Sequence, residues 1–119
     1  MNDRGNVLLE KSMSFAVRIV NLCKFLRQQM HETVLSSQVL RSGTSIGANA
    51  HEANSAQSKA DFVSKCSIAL KECDETGYWL ELLKRTDYLS GDHYRSLDND
   101  RSELFALLTA IIKKSKLTM

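Results

Sequence analysis

The chain has 119 residues, enough for one domain whose core needs no disulfide or metal staple. It has no proline and only five glycines, so every long segment is free to be helical, and its net charge of +2 imposes no strongly basic or acidic class. No apolar run nears the roughly 20 residues of a membrane span. Three cysteines, an odd count, with no leader-like start, point to a soluble cytoplasmic protein.

The polar start, residues 1–6 (MNDRGN), is expected to be a flexible lead, and residues 7–117 to form one helical domain. A first helix is predicted from Val7 to Met30. Leu8, Ser12, Phe15, Ile19, Leu22 and Leu26 step by four and three, and Leu9, Met13, Ala16, Val20 and Cys23 run beside them. Two adjacent seams predict a wide apolar face packed against two or more neighbours. His31-Glu32-Thr33 is a short connection, so the next helix should return antiparallel.

The second helix is predicted from Thr33 to Asn54, with Leu35, Val39, Ser42, Ile46, Asn49 and Ala53 as its seam. Gly43 and Gly47 lie one turn apart in its middle, each costing about 1 kcal/mol of helix propensity against alanine. Close approach of a neighbouring helix is the simplest offset. Ser58 followed by Asp61 resembles a capping box that opens a third helix running to Arg85. Phe62, Cys66, Ala69, Cys73, Thr76, Leu80 and Leu83 form its seam. Ile68, Glu72, Glu75, Trp79 and Leu82 form a parallel stripe interrupted by two carboxylates. TDYLSGD is a turn, with Ser90 or Asp92 as N-cap of a fourth helix whose seam is Tyr94, Leu97, Arg101, Leu104, Leu108 and Ile111. No segment alternates with period two, and the expected fold is an all-α, up-down-up-down four-helix bundle.

Candidate sites follow from the interruptions. Arg41, Ser45 and Glu52 share a face of the second helix, with Asn49 beside it, and Glu72 and Glu75 share a face of the third. Two placements are open: a polar network in which Arg41 answers one or both glutamates, or glutamates at the wet edge of the stripe. The matching interruptions at Arg41 and Asn49 favour the network. Were it buried, stranding one charge would cost about 3–5 kcal/mol.

The carboxylates lack the histidine spacing of a metal-binding bundle, so no metal and no cofactor is expected. The cysteines read as small core hydrophobes, and no catalytic residue stands out. Arg4, Lys11 and Arg18 recur every seven residues, and Lys113, Lys114 and Lys116 crowd the end of the chain. These six are the candidate nucleic-acid contacts, although the plainer reading of the row is a solvated helix flank.

LRSGTSIGANAHEA, the S-x-x-DF of Ser58 to Phe62, and KCSIALKECDETGYWLELLKRTDYL together resemble the bacterial four-helix bundle proteins related to the 23S rRNA intervening-sequence protein. Arg41, Ser42, Ser45, Ile46, Asn49, Glu52, Glu72, Glu75, Tyr78, Trp79 and Leu80 fall on that pattern. Gly77 stands where a larger residue is usual, which would leave a gap or a softer helix. The resemblance implies a left-handed bundle assembled as a homopentameric ring. It also implies a distant likeness to the accessory variability determinant protein of diversity-generating retroelements, which works with a reverse transcriptase and nucleic acid. The leading expectation is a non-catalytic, self-assembling adaptor without a small-molecule substrate. The alternative is an accessory factor acting with RNA, ribosomal RNA or a reverse transcriptase.

Overall fold

The computed structural model describes residues 3–119, with side chains from Gly5 onward. It contains four helices: α1 (Asp3–Gln29), α2 (Val34–Asn54), α3 (Lys59–Arg85) and α4 (Gly91–Leu117). No strand occurs among the described residues. Each helix packs on the next in the chain, and α4 closes on α1. The body measures 47 × 21 × 19 Å. The first helix starts four residues before the predicted Val7, so residues 3–6 extend α1 rather than forming an irregular lead, and Gly5 is buried. Met1 and Asn2 lie outside the described residues.

The ends of the helices have local causes. Thr33, predicted inside the second helix, sits at the N-cap but makes no side-chain cap bond. Instead the buried carboxylate of Glu32 accepts from the backbone N–H groups of Val34, Leu35 and Ser36 at 3.2, 3.1 and 2.7 Å. An anion there satisfies orphan donors and meets the positive end of the helix dipole. Ser58 accepts from the N–H of Asp61 at 3.0 Å, but the Asp61 carboxylate reaches back to Gln57 rather than to Ser58. Ser90, not Asp92, caps α4, accepting from His93 at 3.1 Å. Asp87, at a φ of 66°, lets Tyr88 bond the Leu83 carbonyl and stop α3.

The core follows the four-three seams. Leu8, Phe15, Ile19 and Leu26 of α1 are fully or almost fully buried, as are Val39 and Ile46, Leu80 and Leu83, and Leu104 and Leu108. Cys66, Ala69, Cys73 and Thr76 supply a stretch of small buried side chains along α3, of which Thr76 meets α2. There the buried hydroxyls of Thr76 and Ser42 hydrogen-bond at 2.9 Å, and Thr76 also bonds the Glu72 carbonyl at 2.7 Å. Among the described residues no buried side-chain nitrogen or oxygen lacks a partner.

The second seam of α1 departs from expectation. Cys23 is buried and Leu9 and Ala16 are half-buried, but Met13 and Val20 are exposed. With four helices closing in a ring, α1 has only α2 and α4 to pack on, and one apolar stripe suffices for both. The other looks outward.

The glycines divide. A Cβ on Gly43 would stand 2.8 Å from Cγ1 of the buried Ile19, so α1 approaches α2 most tightly here. On Gly47 it would meet Ser12 at 3.4 Å, ordinary contact. Gly77 leaves no gap: the Arg101 guanidinium lies where a Cβ would be, its Cζ and Nε each 2.8 Å away. Arg101 is held there by Asp98 at 2.6 Å.

Candidate functional site

Three surface regions collect the polar and apolar groups singled out by the sequence. The first lies on the α2–α3 seam. Arg41 Nη1 donates to Glu72 Oε2 at 3.2 Å, and its Nη2 donates to Glu75 Oε2 and, at 3.3 Å, to Gln38. The indole N–H of Trp79 donates to the same Glu75 oxygen at 2.8 Å. Trp79, one helical turn from Glu75, was absent from the predicted cluster, although the four-residue spacing was there to read. The Trp79 hydrogen bond first, and then Arg41, hold the Glu75 carboxyl below its usual range, against partial desolvation.

The network and the wet edge thus coincide. The Arg41 side chain is 49% exposed, Glu75 38% and Glu72 22%. The pairing is solvated, so the 3–5 kcal/mol of a stranded buried charge does not apply. Two expected members lie apart: Asn49 bonds the Ser45 carbonyl at 2.8 Å within its own helix, and Glu52 approaches Lys65 at 3.9 Å. Beside the network Tyr78 stands 62% exposed, its ring edge-on to Trp79 with centroids 5.0 Å apart.

The second region is a groove of about 440 Å³ between α1 and α2, lined by Leu9, Ser12, Met13, Ala16, Thr44, Gly47, Ala48 and His51. None of these carries a formal charge. Met13 is 64% exposed and Val17, one turn on, 53%; exposed Val20 continues the strip. Over its 21 residues α2 has only Arg41 and Glu52 as formal charges, whereas the 27 residues of α4 have nine.

The third region is the basic row of α1. Lys11 pairs with Glu103 at 3.0 Å. Arg18 pairs with Asp100 at 2.7 Å and donates to the Ser96 hydroxyl at 2.9 Å and to its carbonyl at 3.2 Å. Lys11 and Arg18 are therefore each paired with an acidic residue of α4 within one chain. The Arg4 side chain lies outside the described residues. Lys113, Lys114 and Lys116 are exposed in the last turns of α4, where Lys59 of α3 donates to the Thr118 hydroxyl and, at 3.4 Å, to its carbonyl.

The three thiols are buried and unlinked. Burial pushes Cys66 and Cys73 up to about 11, the latter despite the nearby Arg101 cation. Neither is a thiolate at neutral pH, which leaves them inert as nucleophiles. Among the described residues no group of three or more His, Cys, Asp or Glu could hold a metal ion, and no helix is long and apolar enough to cross a membrane.

Comparison with known proteins places this geometry. A family model described as 23S rRNA-intervening sequence protein matches residues 5–110. A crystal structure of a protein of unknown function from the S23 ribosomal protein family of Bacteroides thetaiotaomicron superposes with a TM-score of 0.92 at 58% identity. That match covers 92% of this chain and 98% of the other. No curated protein matches.

Proposed function

This chain belongs to the 23S rRNA-intervening sequence protein family, and from that premise we propose that it is a non-catalytic, self-assembling adaptor of the bacterial cytoplasm. In this reading the four helices run up-down-up-down with a left-handed twist and five copies close into a ring. Support for the topology comes from the α1–α4 pairs, since Lys11 meets Glu103 while Arg18, further along α1, meets Asp100 and Ser96, earlier along α4. Support for the lack of catalysis comes from the inert thiols and from carboxylates already bonded to Arg41 and Trp79.

The observation that carries self-assembly is the outward strip of Met13, Val17 and Val20, continuous with a helix nearly without charge. An apolar, charge-depleted face is the composition of an interface core. Light scattering on the eluting protein tests the reading: the expected mass is about five times the 13.4 kDa chain, and a 13.4 kDa species at micromolar concentration would contradict it.

A nucleic-acid role is the second reading, and it rests on the exposed Lys113, Lys114 and Lys116. Lys11 and Arg18, already paired with acidic residues, add little to the field. On this reading RNA or DNA affinity falls steeply between about 50 and 200 mM salt, and replacing the three lysines by alanine flattens the slope. A slope unchanged by those substitutions would remove this reading.

A further inference from the structure

We propose that the contact between copies is head-to-tail, with the outward Tyr78 flank of α3 on one copy seated in the α1–α2 groove of the next. This rests on the self-assembly reading and specifies which surfaces meet.

The groove and the Tyr78 flank lie on either side of α2, and they are unlike. The groove is an open hollow whose lining includes the small residues Ser12, Gly47 and Ala48. The other face projects. Tyr78 is 62% exposed, and Ile68 on the same helix is also exposed. The Tyr78 ring packs edge-on against Trp79, whose N–H is tied to Glu75, itself held by Arg41. That contact restrains the phenol on one edge and so lowers part of the ordering cost of binding.

The chemistry of the two faces matches. A tyrosine offers an apolar body and one polar tip, and it is enriched in interface cores. The groove offers apolar walls from Leu9, Met13 and Ala16, with Thr44 and His51 as polar partners for the hydroxyl. α2 runs about 31 Å, and across a body 21 Å wide that side projects on the order of 600 Å²; against the roughly 800 Å² that each partner of a stable complex buries, the contact has to use the whole side, groove and Tyr78 flank together. Two unlike faces on one chain make a heterologous contact, the type that builds rings of odd order; a self-complementary patch gives only pairs.

The test uses two full-length variants that each lose one face. Ala48→Arg fills the groove with a long cation on an exposed helix position, and Tyr78→Glu places a charge on the knob. Far-UV circular dichroism checks that each folds, and Met13→Lys replaces Ala48→Arg should the latter not. Alone, each is expected to fall from the assembled mass to that of one chain. Mixed one to one, they are expected to form a two-chain species and nothing larger, because one intact groove meets one intact Tyr78. Ala106→Arg, on the exposed side of α4, is expected to keep the wild-type mass. An assembled wild type whose mass survives Ala48→Arg or Tyr78→Glu, or is lost with Ala106→Arg, would overturn the face assignment. A mixture that stays at one chain would overturn the head-to-tail pairing. A wild type of one chain would instead overturn the self-assembly reading, and this proposal with it.

Discussion

The α4 side and the α2 side of this bundle are built from the same heptad logic and finish their surfaces in opposite ways. α4 turns Leu104 and Leu108 inward and covers its outside with charge, several of those charges bonded to α1 or to Asp98. α2 turns Val39 and Ile46 inward but leaves serine, threonine, alanine and glycine outside, flanked by Met13 and Val17 on one side and Tyr78 on the other. A helix facing only water gains solubility from charges, and α4 has them. Scarce charge is the composition of an interface core, and the proposed self-assembly would put this side of α2 in one.

The largest expected effect lies in the core beneath the charged side. Leu108→Ala should cost about 2–5 kcal/mol in urea unfolding, by lost burial plus a cavity, while the folded fraction keeps its assembled mass. A folded but dissociated variant would show that α4 takes part in the contact between copies.

Next come the glycines of α2, which separate inward from outward packing by a single methyl each. Gly43→Ala should be net destabilising by about 1–2 kcal/mol, since Ile19 has nowhere to go. Gly47→Ala, facing the groove, should be neutral or stabilising by up to about 1 kcal/mol through helix propensity. Thermal melts giving both substitutions the same sign would mean that α1 does not pinch at Gly43.

Smaller still is the network. Arg41→Met should destabilise the isolated chain by no more than about 1 kcal/mol, and a double-mutant cycle with Glu75→Gln should show coupling of a few tenths. Loss of 3 kcal/mol or more would mean that the network is buried. Because the Glu75 pKa is lower folded than unfolded, its contribution is present above its ordinary 4.5 and fades as pH falls through the lowered folded value. Trp79→Phe should shrink that acid dependence, and an unchanged acid limb would remove Trp79 from its cause. The least effect belongs to the α1–α4 pairs: Lys11→Glu, facing Glu103, should cost a few tenths of a kcal/mol at low salt and less at high salt.

The sequence carried the four helices and their buried seams well, because a four-three repeat with no proline leaves few alternatives. Ser58 was legible as a cap from its spacing to Asp61, whereas residue type left Ser90 and Asp92 level for the cap that Ser90 makes. Glu32 was not, since a carboxylate capping from one residue further out has no fixed sequence signature. The pairing of Arg41 with Glu72 and Glu75 was legible because two interrupted stripes had to face each other. Its exposure was not, because periodicity gives a direction around a helix but not the depth at which a neighbour stops. The same gap hid the outward strip of α1: Met13 and Val20 have seam spacing whether covered or open. Nothing in the sequence tied Lys11 or Arg18 to the fourth helix, because their partners, Glu103 and Asp100, lie more than 80 residues away in the chain.

The asymmetry between the two sides is tested most directly by hydroxyl-radical footprinting of the native protein beside its Ala48→Arg variant. In the single chain Met13 and Tyr78 are well exposed, and Phe105 on α4 is partly so. Met13 and Tyr78 should react several-fold more slowly in the wild type than in the variant, while Phe105 reacts alike in both. Equal rates at Met13 and Tyr78 in the two proteins would contradict an interface on the α2 side.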